Sequence, residues 1–145
     1  AAAEYAEAVG LEIRELNPQI FAAHPVMLRI GGEYYVRSIQ KVNPDGSLTF
    51  FCAIDDGLVL TVGRGSGLVD TLAEKVADLH RQMPTLKVIL GCDCILRRLE
   101  LLQKGLANAA GDVLKGVDFV GFSTYGEQVN GIHVNQTLTG LALGE

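Results

Sequence analysis

The chain has 145 residues, of which 48% are hydrophobic, and its formal net charge is -5. This length suits one domain with a single core, and the acidic balance offers no basic surface for nucleic acid or an anionic membrane. No apolar run reaches the roughly 18 residues of a membrane-spanning helix, and no segment has the pattern of a signal peptide. We therefore expect a cytoplasmic domain without nucleic-acid or membrane partners.

The first twenty residues are predicted to be an N-terminal helical connector. Residues 1–9 have helix-forming composition and stop at Gly10, and Asn17-Pro18 breaks any continuation because a residue before proline avoids the helical conformation. The domain itself is then predicted to occupy residues 21–145. Since the chain does not begin with methionine, we expect it to be part of a longer protein.

The segment after the connector is predicted to be mostly β. A Gly31-Gly32 turn between two apolar runs favours a hairpin. The turn Asn43-Pro44-Asp45-Gly46 combines the fixed φ of proline with the positive φ open to glycine. The predicted strands of this part are Val26–Ile30, Glu33–Ile39, Leu48–Cys52 and Leu58–Val62.

After residue 65 the apolar residues recur with the period of a helix. Ser66 can cap a first helix that Pro84 ends, and Asp93 can cap a second, long helix that closes near Gly111 or Gly116. The apolar stripe of this second helix is predicted to contain Ile95, Leu99, Leu102, Leu106 and Ala109, and further strands are predicted at 87–90, 119–123 and 138–143. This order predicts an α+β fold with one mixed, largely antiparallel β-sheet and two main helices packed mostly on one face.

The turn Gly91-Cys92-Asp93-Cys94-Ile95-Leu96-Arg97-Arg98 is the strongest chemical motif in the sequence. The helix dipole and two nearby guanidinium groups favour a reactive thiolate at Cys94, whereas Asp93 opposes them. The alternative is that Cys94 is a small buried hydrophobic residue. A helical wheel places Arg98 beside the apolar stripe and points Arg97 away from it.

A polar segment punctuated by glycine follows the strand predicted at 119–123. Tyr125, Gly126 and Glu127 come directly after this strand, where side chains often line a cleft. Glu127 offers a carboxylate, Asn135 an amide and Thr137 a hydroxyl, a set that suits a small zwitterion or amide. The alternative is a tight turn in which Glu127 and Asn135 bond local backbone amides.

No cofactor or metal site is expected from the remaining motifs. The loop Gly63–Gly67 fails the dinucleotide fingerprint, and no Walker lysine follows it. The three histidines share no ligand spacing with one another or with Cys52, Cys92 and Cys94, which we expect to be reduced thiols. Arg37 on a predicted strand could reach a cleft, although an exposed strand arginine is the ordinary case.

Several of these segments also carry a family resemblance. They are His24-Pro25, Gly32–Arg37, Asp45–Leu48, the turn with Cys94 and Arg97, and Val120–Glu127 with Asn135–Leu141. In this order they resemble the FIST C-terminal domain of the FIST sensory and signal-transduction family, and the resemblance runs from about Phe21 to Gly144. The family pattern has an arginine three residues after the cysteine, which favours Arg97 over Arg98.

The resemblance implies an intracellular sensory domain that binds a small ligand, with amino acids or related metabolites as the ligand class. It also implies a FIST N-terminal domain in the same full-length protein and a downstream signalling protein as partners. We predict a ligand-binding rather than a catalytic site, formed by Cys94, Arg97, Arg37, Tyr125, Gly126, Glu127, Asn135 and Thr137. The alternatives are a cysteine-dependent enzyme, with Cys94 as nucleophile and Glu127 or His133 as its proton partner, and a protein-interaction scaffold without a small ligand.

Overall fold

A computed structural model describes residues 1–65 and 67–145, so the helix cap predicted at Ser66 lies outside the described residues. The helices are α1 (Ala2–Val9), α2 (Pro18–Ala23), α3 (Leu68–Gln82), α4 (Ile95–Gln103) and α5 (Ala107–Leu114), with a 3-10 helix at Ile13–Glu15. The strands are β1 (Val26–Ile30), β2 (Glu33–Arg37), β3 (Ile39–Val42), β4 (Leu48–Phe50), β5 (Leu60–Val62), β6 (Leu86–Cys94), β7 (Phe119–Thr124), β8 (Glu127–Val129), β9 (Ile132–Val134) and β10 (Leu138–Gly144).

The α+β class is confirmed, but the prediction of one sheet is wrong. Within the described residues the strands form four small sheets: β2-β1-β5, β10-β6-β7, β3-β4 and β8-β9. Both neighbours of β6 come from the last third of the chain, antiparallel β10 and parallel β7. Because these two strands occupy both edges of β6, no edge of it remains to pair with the β-rich first half.

The first core lies between α1, α2 and the strands of the first half. Tyr5 and Phe21 have ring centroids 5.8 Å apart at a tilt of 59°, and they pack with Val26 and Ile39, which are also buried. The segment predicted to be a connector thus contributes Tyr5 to this core. Asn17, predicted to break a helix, also begins one, because its side chain accepts hydrogen bonds from the first amides of α2.

The second core lies between the helices α3 to α5 and one face of the sheet β10-β6-β7. Leu72, Leu101 and Ala110 are buried there, and Leu138 packs against them. The long helix predicted after Asp93 is in fact divided into α4 and α5, because Gly105 adopts a φ of 67°. The amides of Gly105 and the residue after it bond carbonyls of the last turn of α4, in the arrangement of a Schellman cap.

The helix α4 buries a different face from the one predicted. Arg97 and Leu101 are buried, whereas Leu102, placed on the predicted apolar stripe, is 55% exposed. The helix begins after Cys94 rather than at an Asp93 cap, and the Cys94 side chain is fully buried. Leu101 packs with Leu72 and Ala110 in the second core, and Arg97, four residues earlier, shares its helix face, so this contact turns both residues inward.

The first core predicts a loss of stability at alkaline pH. Burial raises the pKa of Tyr5 to about 12, and its hydroxyl donates to the His24 carbonyl oxygen at 2.7 Å. At a pH between the ordinary pKa of 10.0 and this raised pKa, Tyr5 keeps its proton in the folded chain but has lost it in the unfolded chain. The free energy of unfolding therefore falls as the pH rises through this window.

Urea denaturation across this window, in wild type and Tyr5→Phe, measures the effect. We expect Tyr5→Phe to be less stable at neutral pH by about 1 kcal/mol, because the hydrogen bond is lost, and to lose less further stability as the pH rises. Tyr125→Phe is the matched control, since Tyr125 is 87% exposed, and it should follow wild type. An alkaline loss as large in Tyr5→Phe as in wild type would contradict the prediction.

Candidate functional site

The three segments predicted to form a site meet where β6 passes into α4. The backbone amide of Cys94 donates to the Thr137 carbonyl oxygen at 3.0 Å. The Thr137 hydroxyl donates to one oxygen of the Glu127 carboxylate at 2.5 Å, and the Thr124 hydroxyl donates to the other. Hydrogen bonds thus join the Cys94 turn, the end of β7, the start of β8 and the residue before β10 into one junction.

Buried polar side chains connect this junction to the first half of the molecule. The Arg37 guanidinium, at the end of β2, donates to the His133 carbonyl oxygen. The fully buried Asn135 accepts from the Ser38 amide at 3.4 Å. Burial raises the pKa of the nearby Cys52 thiol, although the positive charge of Arg37 acts in the opposite direction. The segment around Asn135 is therefore held from the β2 side as well as from β6.

Gln136 extends the network toward α4 and is the residue that the sequence analysis missed. Its side-chain oxygen accepts from the Ser38 hydroxyl at 3.0 Å, and its nitrogen donates to the buried carboxylate of Glu100 at 3.3 Å. Glu100 is also paired with Lys104 at 2.6 Å. Gln136 has a φ of 54°, unusual for a residue other than glycine. The sequence signal that could have identified Gln136 was its position as a polar residue between the predicted site residues Asn135 and Thr137.

Two buried nitrogens in this region have no hydrogen-bond partner within residues 1–65 and 67–145, Asn135 Nδ2 and Arg37 Nε. Gly126 lies close above the first of them: a Cβ added at Gly126 would stand 3.0 Å from Asn135 Nδ2 and would overlap the His133 imidazole. A buried polar atom without a partner costs about 1–3 kcal/mol. The junction is therefore tightly packed but incompletely satisfied.

A cavity of about 390 Å³ lies between α3, α5 and the helix-facing side of the sheet β10-β6-β7. Its wall is mainly aliphatic, and its neutral polar residues are Thr71, Gln136, Thr137 and Thr139. The charged side chains on the wall are Arg97 and Lys75. Pockets of roughly 300–1,000 Å³ with few polar groups are typical of small-molecule sites.

Arg97, not Arg98, faces this cavity. Arg97 is only 6% exposed, and its Nη1 donates to Asp93 at 2.9 Å. Arg98 is exposed and donates to the Ser123 hydroxyl at 3.0 Å. The helical wheel gave the opposite result because it was drawn on an apolar stripe that α4 does not bury.

The remaining predicted site residues take different places. Cys94, Arg37, Glu127 and Asn135 are buried behind the cavity wall, and Gly126 packs over Asn135. Tyr125 is exposed to solvent. Arg97 and Thr137 are thus the predicted residues that reach the cavity, and the buried ones support them. Full burial of the Cys94 thiol also leaves a substrate no access to it in this conformation.

The hairpin β8-β9, which carries Glu127, was not predicted, although the sequence contains its signal. Asn130 and Gly131 have φ values of 52° and 79° and join strands in antiparallel register. Asn-Gly between two short apolar runs is the usual sequence of such a tight turn. The hairpin brings Glu127 back toward β10, where it meets Thr137.

Residues 1–65 and 67–145 offer no metal cluster and no membrane-spanning helix. In these parts of the chain, no group of three or more histidine, cysteine, aspartate or glutamate side chains is placed to hold a metal ion. None of the helices described is long and apolar enough to cross a membrane.

Comparison with known proteins gives one match. The family model described as the FIST C domain matches residues 1–130. The matched range includes α1 and the junction residues Arg37, Cys94, Arg97 and Glu127, and it ends before β10. No curated protein and no solved structure matches the chain significantly.

The packing of Gly126 predicts a strong effect of a single methyl group. Gly126 has a φ of 146°, and a side chain there would meet His133 and Asn135. We expect Gly126→Ala to lower the free energy of unfolding by about 3 kcal/mol, through backbone strain and overpacking. Gly131→Ala is the control, because Gly131 has a positive φ but no atom within 4 Å of an added Cβ. It should cost about 1 kcal/mol. Equal losses in urea denaturation would contradict this account of the junction.

Proposed function

Because the chain belongs to the FIST C domain family, whose members are sensory and signalling domains, we propose that it binds a small ligand in the cavity between α3, α5 and the sheet. The observation that carries the proposal is Arg97, a buried guanidinium on the wall of a cavity that is otherwise mainly aliphatic. A buried charge of this kind is costly unless it is paired. An anionic ligand group would give it a second partner besides Asp93.

An amino acid or a related metabolite is the ligand class that we propose. Its carboxylate would accept hydrogen bonds from Arg97, whose planar donors match a carboxylate, and its apolar part would lie against the aliphatic wall. Thr137 and Gln136 line the same cavity and can add hydrogen bonds. Cys94 and Glu127 position Thr137 through its carbonyl oxygen and its hydroxyl.

The same contacts supply a route by which occupancy could reach the rest of the molecule. Gln136 lines the cavity and also bonds Ser38 and Glu100. Thr137 lines it and bonds Glu127 at the start of β8. A ligand that forms a hydrogen bond with either side chain changes the hydrogen-bond partners of buried groups outside the cavity. This coupling is the physical basis we propose for the sensory role, with a downstream signalling protein as its receiver.

FIST C domains are typically paired with a FIST N domain in signalling proteins. We propose that this domain packs on the face of the sheet β10-β6-β7 that points away from α3 to α5, which we call the open face. Leu90, Val120 and Leu141 are cross-strand neighbours on this face, and Phe122 is 68% exposed on the same side. A contiguous apolar face of this kind is typical of an interaction site.

Cysteine-dependent catalysis is not proposed. FIST C domains are generally non-catalytic sensory domains. Both oxygens of the Glu127 carboxylate accept threonine hydroxyls, and the Cys94 thiol is fully buried.

The two adjacent arginines provide the test of ligand binding. A thermal-shift screen with amino acids and related carboxylates should find compounds that raise the melting temperature, since a ligand at 100 times its Kd stabilises the fold by about 2.7 kcal/mol. We expect Arg97→Met to weaken binding by roughly 10- to 100-fold, the loss of a charged hydrogen bond. Arg98→Met should bind as wild type does. A screen without any shift would contradict the proposal and favour a scaffold that has no small ligand.

The open face of the sheet predicts the effect of surface substitutions on domain pairing. Val120→Ser and Phe122→Ser should each weaken binding to a separately produced FIST N domain by about tenfold or more, because buried apolar area is lost. Val59→Ser is the control, since Val59 is 81% exposed but lies in the loop before β5. Calorimetric affinities that are equal for the three variants would contradict the proposed surface.

A further inference from the structure

We propose that the ligand of this cavity is an aliphatic monocarboxylate that lacks an α-ammonium group, such as a branched-chain 2-oxo acid or the corresponding simple acid. The inference rests on the proposed function, and it narrows the ligand class within it. Amino acids and their oxo acids share a carboxylate and a side chain. They differ in the group attached to the α-carbon, which is a charged ammonium in an amino acid and a neutral oxygen in an oxo acid. The charges on the cavity wall favour one of these groups over the other.

The charges on the wall have one sign. Arg97 and Lys75 are cationic, and among the described residues no aspartate or glutamate side chain lines the cavity. The ammonium group of an amino acid would therefore find cations but no carboxylate on the wall, because the Asp93 carboxylate next to Arg97 is already paired with this guanidinium. Removing a charged group from water without an opposite charge is unfavourable. A carboxylate is instead attracted by the cations on the wall.

The Arg97 guanidinium has donors to spare. Its Nη1 is bonded to Asp93, and this is its single hydrogen bond within residues 1–65 and 67–145. The nitrogens that are both buried and unpaired belong to Arg37 and Asn135, not to Arg97. The remaining nitrogens of Arg97 therefore keep some accessible surface, and the side chain lines the cavity. Two adjacent donors of a guanidinium suit the two oxygens of a carboxylate.

The rest of the wall accepts a branched aliphatic chain. Leu72, Val76, Leu79, Ile89, Leu114 and Leu138 line it. Each methylene moved from water to such a wall gains about fourfold in affinity. Gly140 also lines the cavity and adds no side chain to its wall, because a Cβ at this position would lie 2.7 Å from the Leu90 carbonyl oxygen. The wall therefore selects for bulk and branching rather than for further polar groups.

Four compounds with one carbon skeleton test the inference by calorimetric titration of the chain: leucine, 4-methyl-2-oxopentanoate, 4-methylpentanoate and 4-methylpentan-1-ol. We expect both acids to bind at least tenfold more tightly than leucine and the alcohol. Arg97→Met should weaken the acids at least tenfold and leave the alcohol within twofold. Arg97→Lys, which keeps the charge but not the planar pair of donors, provides a second variant if Arg97→Met does not fold, and it should weaken the acids less.

The outcomes separate this inference from the proposed function. Leucine binding as tightly as the acids would overturn the inference and leave a small-ligand sensor in place. Binding of another compound from the wider screen, with none of these four bound, would do the same. Acids that bind equally to wild type and to the Arg97 variants would overturn the assignment of the carboxylate to Arg97. No binding by any compound would overturn both.

Discussion

The hydrogen bond from the Cys94 amide to the Thr137 carbonyl oxygen sets the geometry on which the site depends. It extends the pairing of β6 and β10 by one step, to the point where β6 becomes α4. The first turn of α4 starts at this point, and Arg97 in it is bonded to Asp93 at the end of β6. The same bond places Thr137 beside Glu127, so one backbone contact orients a cation, a hydroxyl and a carboxylate.

The polar groups behind the cavity are unevenly satisfied. The carboxylate of Glu127 has two hydroxyl partners, whereas Asn135 Nδ2 and Arg37 Nε have none among the described residues. A buried network with unmet partners has a smaller energy gap between alternative arrangements than a fully satisfied one. The junction therefore retains two buried donors that another arrangement of its hydrogen bonds would pair.

Much of the secondary structure could be predicted because its signals are local. The β1-β2 hairpin, α3, β7 and β10 follow from turn residues and apolar period. The pairing of β6 with β7 and β10 could not be predicted, since it joins segments distant in sequence. The buried face of α4 was also missed: the apolar stripe through Leu102 suggested one face, whereas the tertiary packing of Leu101 against Leu72 and Ala110 imposes another. For the candidate site, the sequence indicated Arg97 and Thr137, but not the cavity that they line.

The position of β10 in chain order has a consequence for synthesis on the ribosome. β6 is made about fifty residues before β10, and until β10 emerges β6 has an unpaired edge and the cavity lacks one wall. Such edges and apolar faces are prone to association with other chains. The nascent chain therefore passes through an interval in which it is prone to association, and the cavity closes only when β10 has been made.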